Sequence, residues 1–398
     1  MKDKKRVHPA LLALTASALG LPGIGRAQAP EDLKLDYRYS RYSEDSLSGS
    51  KLGGGDAERY EIDSHQFRIA SPFNSEVELA ADLTYESMSG ASPWFIQPDA
   101  SNRPLQVMSG ATIEEKRADL LLSATRQMQQ SRGTVSLGYS NEDDYKAINV
   151  GAQGEWQLED TVSTLSAGLG YSNDEMDPTD AGPLFPKRIR HAERDSYTVF
   201  GGYARVLDAD TVIQTSLSYA EHDGFLSDPY KEAWIVSLAN TVADSRPGGR
   251  RQWAWLTRLR RYFAGPDAAL HADYRLYDDD WGITAHTIDL AWHQNFAEGL
   301  RIVPGLRWYS QSQADFYEPF YATPRADGFA SSDYRLSPFG AISLSVGVHK
   351  EGFIGGSTLS LRYENYRSGE SFALKDVDVE NPGLVDFDIL SISVKKTF

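Results

Sequence analysis

Asp388–Phe398 reads D-I-L-S-I-S-V-K-K-T-F. Counting back in twos from Phe398 gives Lys396, Val394, Ile392 and Leu390, with Thr397, Lys395, Ser393 and Ser391 in the gaps. Such alternation is a β-strand with one apolar and one polar face. In a soluble sheet its edge and its terminal ring would both stand unprotected. As the closing strand of a barrel in lipid, the same residues place the ring at the membrane interface and the polar face toward a lumen.

The pattern recurs upstream. Leu33, Leu35, Tyr37 and Tyr39 alternate with charged residues, Val77, Leu79 and Leu83 with Glu78 and Asp82, and Val135, Leu137 and Tyr139 with small or polar residues. Similar runs surround Leu165–Tyr171, Trp253–Leu259, Ile288–Trp292, Leu300–Trp308, Ile342–Val346 and Leu359–Tyr363. Together they amount to about 16 strands, an even number as single-chain barrels require. Tight turns at 71–75, 129–132, 159–160, 208–210, 264–267 and 297–299 alternate with longer connections at 87–113, 173–194, 221–250, 310–332 and 368–384. The expected fold is therefore all-β: a transmembrane antiparallel up-and-down β-barrel with short periplasmic turns and long extracellular loops. Outward-phase rings such as Tyr85, Tyr139, Trp156, Trp292, Trp308 and Tyr363 fall near strand ends, where two interfacial girdles belong.

The first 29 residues read as a secretory leader, with Lys2, Lys4, Lys5 and Arg6 before an apolar stretch and a small-residue cleavage site at Ala27–Ala29. Residues 30–398 are then expected to form one barrel domain, placed in the outer membrane of a Gram-negative cell after cleavage near Ala29. The chain carries 40 Lys+Arg against 56 Asp+Glu, which argues against nucleic acid as a partner and suits surface loops that meet divalent cations. It has no cysteine, so disulfides, thiolate metal sites and cysteine nucleophiles are excluded. Beyond the leader there is no long apolar run, and with a mean hydropathy of −0.44 this excludes helical membrane spans but not a barrel, whose two faces average out.

With its strand pattern and terminal ring, Asp388–Phe398 resembles the C-terminal assembly signal of bacterial outer-membrane barrels, with Phe398 as the signal residue. That resemblance implies outer-membrane lipid and the β-barrel assembly machinery as partners. Tyr85–Trp94, Ser140–Tyr145, Gly224–Lys231 (G-F-L-S-D-P-Y-K), Tyr274–Thr287 and Arg307–Tyr317 resemble signature stretches of a bacterial family known only as a domain of unknown function. This resemblance spans nearly the whole chain and implies an outer-membrane β-barrel without an established substrate.

A barrel this wide is not filled by side chains, so its inward residues are the first candidates for function. Arg258, Arg260, Arg275, Arg301 and Arg307 share the inward phase of neighbouring strands, while Glu78, Asp82 and Glu86 lie on a distant arc. Facing each other across water they would form a charge filter; paired with neighbours such as Asp273 and Asp289 they would brace the wall. His271 and His293 also point inward, and whether they meet depends on register. Ser89, Gly90, Ser92 and Pro93 form a turn sequence with no base placed beside either serine. Asp228, Pro229 and Tyr230 belong to a segment that either narrows the pore or lies flat on the rim. Asp279 and Trp281 lie in a second motif stretch, and the runs Asp278–Asp280 and Glu142–Asp144 read as solvated acidic tips. No catalytic residue, metal site or cofactor is expected. The leading expectation is a porin-like channel for small hydrophilic solutes, and the alternative is a structural or docking barrel for a periplasmic or surface partner.

Overall fold

The computed structural model describes residues 32–109, 113–183 and 185–398. The leader expected over Met1–Ala29 lies outside the described residues. Sixteen strands close into one barrel: β1 (Lys34–Glu44), β2 (Glu61–Pro72), β3 (Val77–Gly90), β4 (Ile113–Gln127), β5 (Ser131–Asn141), β6 (Tyr145–Gln157), β7 (Ser163–Met176), β8 (Ala192–Val206), β9 (Thr211–Gly224), β10 (Gly249–Phe263), β11 (Ala268–Asp279), β12 (Thr284–Phe296), β13 (Leu300–Gln311), β14 (Phe339–Phe353), β15 (Ser357–Gly369) and β16 (Phe387–Thr397). Each pairs antiparallel with its neighbours in sequence, and β1 pairs with β16 along its whole length, from Lys34↔Thr397 to Glu44↔Phe387. The seam is pinned by a hydrogen bond between the Ser40 and Ser391 hydroxyls at 2.8 Å, and the Phe398 amide donates to the Leu33 carbonyl at 3.0 Å.

Alternation sorts the side chains as the sequence implies. Leu390, Ile392 and Val394 face out with Leu137, Val135, Leu344 and Trp255, all exposed on the outer wall. A continuous apolar band of this extent far exceeds what water-soluble surfaces leave uncovered, and hydrocarbon is the solvent it fits. The tight side is built from local caps: Asn74 Oδ1 accepts from the amides of Glu76 and Val77, and Asp160 Oδ1 from those of Val162 and Ser163.

The opposite side differs from expectation in two respects. Strands run further out than the loop boundaries implied, so Ser89 and Gly90 end β3 and Asp279 ends β11. Connections 142–144 and 280–283 are tight turns on the long-loop side. Adjacent residues of extended chain alternate in direction, which corrects the solvated acidic tips: Glu142, Asp144 and Asp279 turn inward and are buried, while Asp143, Asp278 and Asp280 stay exposed.

The apolar core lies at the outer mouth. Trp281, Ile283, Ala314, Phe316, Tyr317 and Leu336 form one cluster, and Ala233, Ile235, Tyr321 and Ala330 another. Short sheets inside the loops, Glu232–Ile235 with Asn240–Ala243 and Pro93–Pro98 with Pro104–Met108 and Leu52–Gly54, support them. If the band faces lipid, Leu137→Arg, near the middle of β5, should cost about 2–4 kcal/mol. Urea unfolding in lipid vesicles, with Ser136→Arg on the inner face as comparison, measures this; equal costs at both positions would refute the assignment of faces.

Candidate functional site

The inner wall carries the charges singled out in the sequence, and most have a local partner. Arg258 Nε lies 3.6 Å from Asp273 Oδ2, and Arg260 Nη2 donates to the same oxygen at 3.0 Å. Arg307 Nε donates to Asp289 Oδ2 at 2.8 Å, and Arg301 Nε to Asn295 Oδ1 at 2.7 Å. On the far arc, Glu78 meets Lys34 at 3.1 Å, Asp82 meets Arg68 at 2.5 Å, and the buried Glu86 lies 3.8 Å from Arg117. The half-exposed pairs among these contribute at most about 1 kcal/mol each. Their exposure matters more: Arg307 is 53% exposed and Arg68 47%, although both face the interior. His271 and His293 do meet, with ring centroids 4.0 Å apart.

Above this wall the loops 225–248 and 312–338 fold inward and join through a buried ionic cluster. Asp333, with no exposed side-chain surface, accepts from Arg246 Nη2 at 2.9 Å and Arg335 Nε at 2.9 Å, and Lys231 Nζ lies 3.5 Å away. Asp244 takes Arg246 Nε at 2.7 Å and the Asp228 amide at 2.7 Å, and Asp228 takes Arg335 Nη2 at 2.9 Å. Three carboxylates thus balance three cations. Burial alone would raise the Asp333 carboxyl, but Arg335, Lys231 and Arg246 hold it well below the usual range. Asn381, from the loop after β15, donates to Tyr317 Oη at 2.9 Å and Ser332 O at 3.2 Å, tying in a third segment.

This cap crosses the bore. Tyr334 lies under Arg59, which is itself bonded to Glu44 at the end of β1 at 2.6 Å. The next residue, Arg335, reaches the wall of β10 and β11, where it lines a recess with Arg250 and Arg275. Strands β1 and β10 stand on opposite arcs of the barrel. The motif stretches serve this construction. Asp228, Tyr230 and Lys231 are buried, so the G-F-L-S-D-P-Y-K segment packs inward instead of lying on the rim; Pro229 offers its carbonyl to Arg188 Nε at 2.9 Å, and Tyr230 donates to Asp144. Burial pushes the Asp144 carboxyl up to about 7 despite that bond. Gly90 has φ +128°, and a Cβ there would strike the Arg59 carbonyl; Ser92 precedes the small sheet that Pro93 opens, and its amide donates to Ser109 Oγ at 2.9 Å.

The recess beneath the cap has a volume of about 220 Å³, with Tyr277, Tyr309 and Gln311 beside the three arginines. Asp279 organises it. One oxygen accepts from the amides of Trp281 and Ile283 at 3.0 and 2.9 Å; the other takes Arg250 Nε at 2.9 Å and Tyr277 Oη at 2.7 Å. Trp281 stacks under the Arg250 guanidinium at 4.3 Å. Sequence reasoning singled out Arg275, Asp279 and Trp281 but missed Arg250, Tyr277, Tyr309 and Arg335. The inward phase of β10, β11 and β13 marks the first three; no periodicity marks Arg335, which sits in a loop.

A closed sixteen-stranded sheet with an apolar outer face, a charged inner wall and a loop-capped mouth is a transmembrane β-barrel of the outer-membrane kind. The chain belongs to the family described as Protein of unknown function (DUF3570), whose model matches residues 11–380. No curated protein matches it in sequence. Among solved structures, CdiB from Acinetobacter baumannii is similar in fold, with a TM-score of 0.53 at 7% identity over 93% of this chain and 61% of that one, so the present chain spans about three fifths of its length. OccK3 (OpdO) of Pseudomonas aeruginosa aligns with a TM-score of 0.42 at 12% identity over 92% of this chain and 95% of that one, and a bacterial polysaccharide outer membrane secretin with 0.46 at 8% over 92% and 98%.

Asp333→Asn should weaken the cap by about 3–5 kcal/mol, because it strands buried cations. The Asp333 carboxyl is held below its ordinary value, so its contribution is present above roughly pH 4 and is lost only as pH falls through the lowered value. Hydrogen exchange of residues 225–248 and 312–338 at pH 7 should speed up in the variant; unchanged protection would show that the cluster does not hold the loops.

Proposed function

We propose that this protein is a narrow, water-filled diffusion channel of the bacterial outer membrane for small hydrophilic solutes, without catalytic chemistry of its own. One observation carries the reading: charged side chains that face the interior keep much of their exposure, Arg307 at 53%, Arg68 at 47% and Arg301 at 43%. Groups so placed inside a closed sheet are solvated by water in the bore, since unsolvated charge there would be prohibitive. The cap then sets the aperture, because segment 333–336 lies across the mouth.

Purified protein in planar bilayers should give small stepwise conductance. Replacing residues 314–335 by a short Gly-Ser linker should raise it several-fold. Silent membranes with both proteins, inserted and heat-modifiable, would reject a channel.

A further inference from the structure

The arginine recess differs from the rest of the wall in the direction its charges face. Arg250 and Arg335 are neutralised from behind: the side chains of Asp279 and Asp333 have 0% exposure and that of Asp228 has 1%, while Arg250 keeps 21% and Arg335 31%. Arg275 is exposed to the bore and has no carboxylate within ion-pair reach among the described residues. A solute arriving at the recess therefore meets guanidinium groups and no carboxylate. Donors are also left over. Arg250 commits Nε and Nη2 to Asp279, and Arg335 commits Nε and Nη2 to Asp333 and Asp228, which leaves Nη1 of each uncommitted in a recess that Arg275 also lines.

The other lining groups offer little competing polarity. Tyr277 Oη donates to Asp279 Oδ2 at 2.7 Å and Tyr309 Oη to Gln311 Oε1 at 2.6 Å, so both phenols turn their hydrogens away and present rings. Gln311 spends its amide on the carbonyls of Ser337 at 2.6 Å and Arg335 at 3.1 Å. Ile283 and Ala285 complete an apolar side, and Thr287 adds one neutral hydroxyl. Planar guanidinium forks match a carboxylate in two-point hydrogen bonding. At about 220 Å³ the space falls below the range of drug-sized pockets, so a compact molecule fits and a polymer does not.

We infer that this recess is a binding site for a small organic carboxylate with a flat apolar body, held by Arg275, Arg250 and Arg335 with its body against Tyr277 and Tyr309. The inference rests on the channel reading only in that the solute reaches the recess through a hydrated bore; binding itself does not require conduction. Binding also links solute to aperture, because Arg335 belongs to the segment that spans the mouth.

Calorimetric titration of the full-length protein in detergent at pH 7, with benzoate as probe, tests it. Wild type should bind saturably at one site, and benzyl alcohol, the uncharged analogue, should not. Arg275→Gln should weaken benzoate by about tenfold or more, the size of a charge-assisted hydrogen bond lost, and Arg275→Lys should recover part of that loss. Arg307→Gln, on the same wall outside the recess, should bind as wild type does. Arg275 has no ion-pair partner among the described residues, and heat-modifiable migration of each variant verifies that the barrel is closed. The absence of saturable heat with wild type, unchanged affinity in Arg275→Gln, or inorganic phosphate binding as tightly as benzoate would overturn the inference. Benzoate binding as expected in a protein that passes no current in bilayers would uphold the site and reject the channel instead.

Discussion

In hydrocarbon, a backbone amide or carbonyl without a partner has no water to turn to, and that constraint shapes everything else in this molecule. It is met by joining the first strand to the last: β1 and β16 pair from Lys34↔Thr397 to Glu44↔Phe387, so the sheet has no edge. Closure also converts a local alternation into two different environments. A residue in the outward phase is in lipid along the whole circumference, and its neighbour is in the bore. The same rule that puts Leu390 and Ile392 outside aligns Ser391 with Ser40 inside, where their hydroxyls bond across the seam at 2.8 Å.

Sixteen strands make the bore too wide for side chains to fill. The inner wall holds apolar clusters only near its outer end, as with Ile62 and Met88 or Tyr145 and Met176. The packing that a soluble domain would place at its centre is displaced to the outer mouth, where loop segments bury Trp281, Phe316 and Leu336 together. Wall and cap are coupled through Asp279. It ends a strand, sets the tight turn after it through the amides of Trp281 and Ile283, and anchors Arg250. Gly282 in that turn has φ +91° and lies so close to Asp315 that a Cβ would collide with it. One motif stretch therefore does structural and electrostatic service at once, which is why no local reading of D-D-D-W-G-I separated the two.

The buried ions of the cap are an expensive way to join loops, since six charged groups are taken from water. What they supply is position. Lys231, Arg246 and Arg335 meet Asp228, Asp244 and Asp333 in one arrangement, and that arrangement carries Arg335 across the bore to the recess. On the open wall, by contrast, pairs such as Arg307 with Asp289 remain half exposed, and each contributes little. Local pairs run along most of the wall, and a cationic face without exposed carboxylates stands only at the recess, where the partners of Arg250 and Arg335 are hidden.

Period-two patterning alone determined the architecture, the count of strands, the identity of the lipid face and the inward phase of Arg258, Arg260, Arg275, Arg301 and Arg307, because a strand's side chains have only two directions and lipid tolerates one kind. The tight turns at 71–75 and 159–160 were legible for the same local reason. Asp144 was misread as solvated because Tyr230, from a loop distant in sequence, covers it, and Glu142 because it turns inward beside Arg117 of the neighbouring strand. The contact of His271 with His293, the pairing of Arg307 with Asp289 and the meeting of Arg335 with Arg250 were settled by tertiary structure. They depend on register between strands and on where long loops fold, and neither leaves a periodic trace in the chain.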